Sequence, residues 1–400
     1  MALTQLVSRG RQDDDFTREL SPSYFGKVWV PRAPFALEQI EQVWDGTVGW
    51  NQRIACEISR NGDLVTSTLL EITMQKQGTG YYPAEQLIDR AELWLGKVLV
   101  QTLEGDYLRV HQELFSSSDQ KSAYRRLTDW VDGEQDGVFK RFYLRLPWYF
   151  DSVPHLAIPL VAAQYHSITL VLHLAKSVAG TNPLSPPQVR LFVEYAFLAT
   201  PERRKVALSE HQFVIEQVQA QSTPIKIEDR QKEHKVDLSF NFPCKWLAFN
   251  FGNTLQKAHY TAKQPGETAE AVGVLDTLTL VLNGTPRFQR RASTFFNSYM
   301  PYVALPGASQ PRAGIYFYPF NMQPQERAEY SSDAVLNFSR LDSAVLHFST
   351  KAANAATEAV ITDPSVTLEA GQGLDVLRVY ACTLNVLQVR QGMFGLKYAN

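Results

Sequence analysis

The sequence predicts an all-β protein built from two antiparallel sandwiches, and three observations lead to this class. Aromatic residues make up 12% of the 400 residues, with 17 Tyr and 22 Phe, and this favours strands over helices. Many short runs alternate apolar and polar residues with a period of two, and Gly, Pro, Asn or Asp separate them. The length exceeds what one hydrophobic core usually supports, so we expect two domains.

Strand candidates follow one another along the whole chain. The run from Ile168 to Leu174 shows the period most clearly, because a leucine or isoleucine stands at every second position. The other candidates, in order, are Gly26–Arg32, Ile54–Ser59, Leu64–Met74, Leu93–Val100, Phe139–Leu146, Arg190–Leu198, Lys235–Phe242, Leu275–Leu282, Ala313–Phe320, Val335–Phe348 and Asp375–Val389. Short strands at this spacing favour a sandwich or barrel over repeated βαβ units.

Two turns and one helix are predicted between the strands. Asn61-Gly62 and Asn283-Gly284 each stand between strand candidates, and Asn-Gly supplies the positive φ angles of a type I′ hairpin. Residues 200–218 are predicted to form a helical connector, since Thr200 can cap it and apolar residues recur at helical spacing. The polar residues 219–235 then indicate a domain boundary.

These features divide the chain into four parts. They are an N-terminal arm at residues 1–24, a first sandwich at 25–199, the connector at 200–218 and a second sandwich at 219–400. Each sandwich has about 180 residues, a length that fits a double-sheet jelly roll. The predicted fold is therefore all-β, with two consecutive eight-stranded antiparallel jelly rolls joined by a short helix.

Charge and cysteine content argue against several classes of protein. The chain has 39 basic and 41 acidic residues, so we expect no broad basic face and no specific nucleic-acid partner. Cys56, Cys244 and Cys382 are widely separated, which supports neither a disulfide framework nor a zinc ribbon and favours a reducing compartment. Residues 1–15 lack the apolar core of a secretory signal, and polar residues interrupt the apolar stretch 158–175.

No motif predicts catalysis or a cofactor. His166 and His173 are the closest histidine pair, and on one strand they would face opposite sides, which does not suit the metal site of a jelly-roll enzyme. Nucleophile-elbow, zinc-protease, P-loop and dinucleotide-binding motifs are absent from the sequence. We therefore predict no catalytic, cofactor-binding or metal-binding residue, although a pair of distant glycosidase carboxylates stays open.

Other conspicuous residues are interpreted as structural. The three cysteines are expected in the core as small apolar groups. The aromatic run Trp148-Tyr149-Phe150 is expected to anchor a core or an interface. Basic clusters at 203–205 and 287–291 are interpreted as solvated faces or subunit contacts rather than anion sites. The sequons at Asn283 and Asn337 overlap a predicted turn and a predicted strand, so attached sugar is not expected at either.

A series of blocks in constant order carries a resemblance to a known family. The first contains Leu146-Pro147-Trp148-Tyr149-Phe150 and Gln164-Tyr165-His166. Further blocks are Phe197–Arg204 with Ile215–Gln217, Leu282–Arg291, Gly314–Phe320, Asn337–Asp342 and Leu377–Asn400. In these blocks the chain resembles the major capsid proteins of nucleocytoplasmic large DNA viruses. It departs from them at Pro31–Ala36, where the family has Arg-His-Thr-Asn-Phe-Ala.

The resemblance implies a structural protein without enzymatic activity. In that family two jelly rolls stand side by side, and three copies form a trimer of near-hexagonal outline that tiles an icosahedral shell. For this chain it implies a homotrimer, contacts with neighbouring capsomers and minor capsid proteins, and an internal membrane surface as a further partner. It also implies a place in the capsid shell of the virion, assembled in the host cytoplasm. The alternatives are a minor capsid protein, or a carbohydrate-binding or glycan-cleaving β-sandwich protein.

Overall fold

The structure is a computed structural model that describes residues 33–75, 84–129, 137–151, 153–175, 186–226, 232–253, 274–311, 314–325, 335–351 and 374–398. The chain divides into two units, Met1–Phe35 and Ala36–Asn400. Apart from Phe35, which begins the first strand, the elements below belong to the second unit. The predicted N-terminal arm and the predicted strand Gly26–Arg32 lie outside the described residues.

The first half of the second unit forms two antiparallel sheets. Its strands are β1 (Phe35–Gln42), β2 (Arg53–Glu57), β3 (Leu64–Gln75), β4 (Ile88–Leu95), β5 (Val98–Glu104), β6 (Phe139–Arg145), β7 (Ile158–Pro159), β8 (Ile168–Leu174) and β9 (Gln188–Leu198). Sheet 1 has the order β1-β9-β3-β6 with β7 paired to β3, and sheet 2 has the order β2-β8-β4-β5. Alternate side chains such as Leu70, Ile72, Leu191 and Val193 fill the core between the sheets.

The second half also forms two antiparallel sheets. Its strands are β10 (His211–Lys226), β11 (Glu233–Asp237), β12 (Pro243–Asn253), β13 (Leu275–Leu282), β14 (Thr285–Pro286), β15 (Arg291–Ala292), β16 (Ile315–Pro319), β17 (Leu336–Asn337), β18 (Ala344–Thr350), β19 (Leu374–Arg390) and β20 (Met393–Leu396). Sheet 3 has the order β10-β19-β12-β16 with β17 on β12 and β20 on β19. Sheet 4 has the order β11-β18-β13-β14 with β15 on β13.

The two halves share one strand order. When only the strands on the main path of each sheet are counted, each half has eight, and they connect in the same way. We number these eight strands in chain order within each half. One sheet then has the strand order 1-8-3-6, and the other has the strand order 2-7-4-5. This is the connectivity of a jelly roll. The prediction of two consecutive eight-stranded antiparallel jelly rolls is confirmed, and we call β1–β9 roll 1 and β10–β20 roll 2.

Helices stand between some of the strands. They are α1 (Gly105–Phe115), α2 (Ser118–Thr128), α3 (Thr200–Leu208) and α4 (Met300–Ala304), with a π-helical turn at Phe295–Tyr299 and 3₁₀ turns at Ala84–Leu87, Pro154–Leu156 and Phe338–Arg340. The sequence pattern predicts neither α1 nor α2. The start of α2 does carry a readable signal, because Ser117 and Gln120 form a capping box through their side chains and main-chain N–H groups.

The predicted connector at 200–218 is wrong beyond Leu208. α3 ends there, and the sixteen residues of β10 pair with β19. Phe213 and Val218 match a helical period by coincidence, whereas burial in this segment alternates, with Ile215 and Gln217 both buried. The continuous pairing of this segment with β19 makes it a strand and not a helix. Roll 2 therefore begins at His211 and not at residue 219.

The polar residues 219–226 continue the strand instead of forming a linker. The Gln219 side chain accepts a hydrogen bond from the Asn241 main-chain N–H at 2.9 Å and donates one to the Asn241 carbonyl oxygen at 3.2 Å. Gln221 accepts from the Ser239 main-chain N–H at 3.0 Å. Because a side-chain amide carries a donor and an acceptor, these glutamines replace main-chain partners along the edge of β10.

One predicted hairpin is confirmed and the other is wrong. Asn283 and Gly284 have φ angles of 48° and 76° and join β13 to β14. Asn61-Gly62 does not form a hairpin, because β2 pairs with β8 in sheet 2 whereas β3 belongs to sheet 1. The predicted strand Leu93–Val100 spans two strands, because Gly96, with a φ of 63°, lies in the turn between β4 and β5.

Candidate assembly surfaces

Sheet 3 is buried on both faces. Leu247 and Phe249 point into the core of roll 2, whereas Trp246 and Ala248, at alternate positions of the same strand, join the hydrophobic cluster of roll 1. A strand that is covered on both faces needs apolar residues at consecutive positions. This explains the nearly continuous apolar run of β12.

Helix α1 supplies part of roll 1's side of this interface. The Phe115 ring centroid lies 5.3 Å from that of Trp246 and 6.1 Å from that of Phe317. The Tyr107 ring lies 5.3 Å from the Tyr380 ring on β19. Aromatic pairs of this kind contribute about 0.5–1.5 kcal/mol each beyond the burial of their area. The two rolls are therefore joined by a packed aromatic interface as well as by the connecting chain.

Polar contacts fix the position of the two rolls relative to each other. Arg378 Nε lies 3.1 Å from Asp106 Oδ2, and the Tyr380 hydroxyl donates to Glu104 Oε2 at 3.2 Å. Gln217 Nε2 donates to a main-chain carbonyl oxygen of β5 at 2.5 Å. A buried polar group that loses its partner costs free energy. These bonds therefore disfavour a shifted arrangement of α1 on sheet 3.

The hairpin β19–β20 makes a second contact between the rolls. Tyr165 donates its main-chain N–H to the Gly392 carbonyl oxygen at 3.0 Å, and Phe394 donates its main-chain N–H to His166 Nδ1 at 3.1 Å. His166 precedes β8, so the expectation that His166 and His173 share a strand is wrong. Its ring accepts a hydrogen bond between the rolls.

Helices α1 and α2 enclose a buried cluster of charges. Arg109 Nη2 lies 3.0 Å from Glu85 Oε2 and 2.5 Å from Asp129 Oδ1, and its guanidinium lies 5.4 Å from the Tyr124 ring centroid. All three charged residues are buried. Burial raises the pKa of Glu85, and the Arg109 charge opposes that rise. The cluster connects α1 both to the 3₁₀ turn Ala84–Leu87 and to the end of α2.

Gly105 lets α1 begin close to this cluster. A Cβ atom at Gly105 would overlap the main-chain carbonyl oxygens of Ile88 and Glu85. We expect Gly105→Ala to lower the free energy of unfolding by about 1–3 kcal/mol, as overpacking usually does, in a chemical denaturation measurement. Gly395→Ala is the matched control, because no atom lies within 4 Å of the Cβ position there. Equal losses in the two variants would contradict the prediction.

The cysteines and the first aromatic block lie in the core, as predicted. Cys56, Cys244 and Cys382 are buried and are not joined by disulfides. Burial raises the pKa of Cys56 to about 11 and raises that of Cys244 as well, so both thiols are protonated and unreactive near neutral pH. Trp148 is fully buried and donates through Nε1 to Thr68 Oγ1 at 3.0 Å.

The basic clusters lie on exposed faces, as predicted. Arg203 pairs with Asp63 at 2.9 Å, and Arg290 pairs with Glu233. The Arg291 guanidinium lies 5.3 Å from the centroid of an aromatic ring in the π-helical turn. Both members of the Arg290–Glu233 pair are exposed, and such pairs contribute little to stability. A role for these arginines in subunit contacts stays a prediction.

In both sequons the side-chain oxygen of the asparagine accepts hydrogen bonds from the main chain. Asn283 Oδ1 accepts from the main-chain N–H groups of Asp342 and Ser343 at 2.9 and 3.1 Å. Asn337 Oδ1 accepts from the Ser339 main-chain N–H at 3.0 Å. The absence of sugar at both positions stays a prediction.

The part of the chain that the structure describes offers no metal-binding or membrane-spanning element. Within it, no group of three or more His, Cys, Asp or Glu side chains could hold a metal ion. None of its helices is long and apolar enough to cross a membrane.

Three exposed apolar side chains are neighbours near α4. Tyr302 is 84% exposed, Val303 58% and Tyr299 54%. The two tyrosines border a groove of about 660 Å³. Pro301 and Leu305 are buried, and Leu305 belongs to the hydrophobic cluster of roll 1. We call Thr294–Gln310 the α4 segment.

Two protein-family models match the chain in tandem. The model described as "Major capsid protein N-terminus" matches residues 23–199, and the one described as "Large eukaryotic DNA virus major capsid protein" matches residues 202–395. The junction between the two matches falls at the start of α3, where roll 1 ends.

Relatives and solved structures agree with this match. The major capsid protein of Paramecium bursaria Chlorella virus 1 is 35% identical over 438 residues, covering 100% of this chain and 99% of the relative. That of Pyramimonas orientalis virus is 28% identical over 435 residues, with the same coverage of 100% and 99%. A quasi-atomic structure of the PBCV-1 virus capsid superposes with a TM-score of 0.81 at 34% identity, covering 94% of this chain and 100% of that chain. The Faustovirus major capsid protein has the same fold, with a TM-score of 0.69 at 10% identity over 96% of this chain and 94% of that chain.

Two copies of one jelly-roll topology, packed through a buried interface, place the protein in the class of double jelly-roll capsid proteins. With a full-length relative at 35% identity and both family models matched, the chain belongs to the family of large eukaryotic DNA virus major capsid proteins. Its role is structural, as a component of the viral capsid.

Proposed function

We propose that three copies of this chain form a trimer of near-hexagonal outline, and that such capsomers tile an icosahedral shell. The observation that supports the proposal is the shared strand order of two rolls that a buried interface holds together. Three such pairs supply six similar rolls around a threefold axis. Because these six rolls are similar, the trimer can occupy a sixfold position in a hexagonal lattice.

The proposal also names partners and a location. The trimer contacts neighbouring capsomers and minor capsid proteins, and the inner side of the shell faces an internal membrane surface. We also propose that assembly takes place in the host cytoplasm and that residues 1–24 form an N-terminal arm. We propose no enzymatic activity and no specific nucleic-acid partner, in keeping with a formal net charge of -2. Family membership favours this role over a carbohydrate-binding or glycan-cleaving function and over a minor capsid protein.

Sedimentation velocity of the purified full-length chain tests the trimer. At micromolar concentration and physiological salt we expect a particle of three times the 45.2-kDa chain mass. Negative-stain microscopy of the same sample should show particles of hexagonal outline. A chain that stays monomeric under these conditions would contradict the proposal. Glycan-array binding by such a monomer would favour the carbohydrate-binding alternative.

A further inference from the structure

The shared strand order makes positions in the two rolls comparable. In each roll, helical residues connect the fifth strand to the sixth. In roll 1 this connection contains α1 and α2, between β5 and β6, and in roll 2 the α4 segment lies between β14 and β16. The two connections are therefore equivalent elements of one repeated unit.

The roll 1 connection has a partner within the chain. Residues of α1 pack on the outer face of sheet 3, against side chains of β12, β16 and β19. In the common order, these are the third, sixth and eighth strands of roll 2. The corresponding strands of roll 1 are β3, β6 and β9, in sheet 1.

Within the described residues, the outer face of sheet 1 carries exposed and half-buried side chains of the kinds that protein interfaces use. Leu70, Phe142 and Leu191 point into the core, so the alternate residues point outward. The outward residues of the three strands include Leu69, Glu71, Arg141, Tyr143, Arg190 and Phe192. The arginines are exposed and the aromatic rings are half-buried, whereas Trp246 and Tyr380 on sheet 3 are buried.

Charged groups on this face are already ordered. Arg190 pairs with Glu41 and with Glu71, the latter at 3.2 Å, and its guanidinium lies 5.2 Å from the Phe192 ring centroid. An arginine that is held over an aromatic ring offers a flat surface on which a tyrosine can pack. Tyrosine and arginine, together with tryptophan, are also enriched among the residues that anchor protein interfaces.

We propose that the α4 segment of one copy docks on the outer face of sheet 1 of the next copy. Tyr302, Tyr299 and Val303 would then cover β3, β6 and β9 as α1 covers sheet 3 within the chain. This head-to-tail contact repeats the interface between the rolls, so that six rolls close into a ring after three copies. The inference rests on the proposed trimer and adds the surfaces that form it.

The first test changes Tyr302, the most exposed of the three apolar side chains near α4. We expect Tyr302→Asp to weaken self-association of the full-length chain by about 100-fold, as the loss of an interface anchor does, measured by sedimentation velocity. Because Tyr302 is exposed, its replacement should leave the thermal unfolding of the monomer unchanged. Met322→Asp is the matched control, since Met322 is 89% exposed and lies outside the α4 segment. We expect the control to stay trimeric.

Cross-linking identifies the opposite surface. Because all three native cysteines are buried, Tyr302→Cys and Tyr143→Cys each introduce one accessible thiol. A short bis-maleimide should join the two variants when they are mixed and should not join Tyr302→Cys to itself. Cross-links between two Tyr302→Cys chains would show a twofold contact and overturn the proposal.

The outcomes separate this inference from the function on which it rests. A trimeric wild type with a trimeric Tyr302→Asp variant would overturn the docking surface and leave the trimer intact. A monomeric wild type would overturn both. A trimeric wild type, a dissociated Tyr302→Asp variant and the mixed cross-link would together support the inference.

Discussion

Replacing Arg109 with methionine is expected to lower the free energy of unfolding by about 3–5 kcal/mol, the usual loss when one partner of a buried ion pair is removed. Methionine keeps much of the volume but removes the charge. Glu85 and Asp129 would then stay buried without the guanidinium that lies 3.0 and 2.5 Å from their oxygens. Urea denaturation of the full-length chain, followed by tryptophan fluorescence, measures the loss.

A second arginine nearby provides the control for Arg109→Met. The Arg125 side chain is 43% exposed and lies 3.4 Å from Glu113. Water solvates its charge, so Arg125→Met should cost less than about 1 kcal/mol. Similar losses in the two variants would contradict the assignment of Arg109 as the centre of the cluster.

The pH dependence gives a further check on the ionic explanation. Burial raises the pKa of Glu85 above its ordinary value of 4.5 in the folded state. Between the ordinary and the raised pKa the folded state binds more protons, so the contribution of Glu85 to stability falls as pH rises. Arg109→Met removes the charge that opposes this rise and should move the pKa of Glu85 further upward. The stability difference from wild type should therefore shrink as pH falls toward 4.5, and a constant difference would contradict the explanation.

The sequence predicted strands well where one face of the strand is exposed. The observed bounds of β13, Leu275–Leu282, are those predicted, because alternation marks the strand and Asn283-Gly284 ends it. The prediction for β10 was wrong because apolar residues such as Phe213 and Val218 happened to match a helical period, and because glutamines at its edge resembled a linker. The structure of β10 depends on side-chain hydrogen bonds of Gln219 and Gln221 with residues distant in sequence. A local sequence pattern does not show such bonds.

The interface between the rolls was harder to predict for a related reason. Trp246 and Leu247 are consecutive apolar residues, and composition cannot tell that one faces roll 1 and the other the core of roll 2. Helix α1 was missed because several of its polar residues are buried against distant partners. Asp106 contacts Arg378, and Arg109 contacts Glu85, so these charges do not mark an exposed helix face.

Trp246→Ala is expected to uncouple the two rolls, with a loss of about 3–5 kcal/mol for the truncation of a buried aromatic side chain. Trp246 lies on the outer face of sheet 3 and packs on Phe115 of α1 and on Phe317. The cavity would open between the rolls, so exchange of the main-chain amide hydrogens of α1 should become faster. Native-state hydrogen exchange resolved along the chain measures this change.

Phe249→Ala separates uncoupling from a general loss of stability. Phe249 is on the same strand as Trp246 and is equally buried, but it faces the core of roll 2, where its ring lies 5.4 Å from that of Tyr316. This variant should destabilise roll 2 by a similar amount and leave exchange in α1 close to the wild-type rate. Because the proposed near-hexagonal trimer requires the two rolls at one fixed position, Trp246→Ala should reduce trimer formation more than Phe249→Ala does. Equal exchange in α1 and equal trimer yields for the two variants would contradict the view that the interface at sheet 3 fixes the rolls.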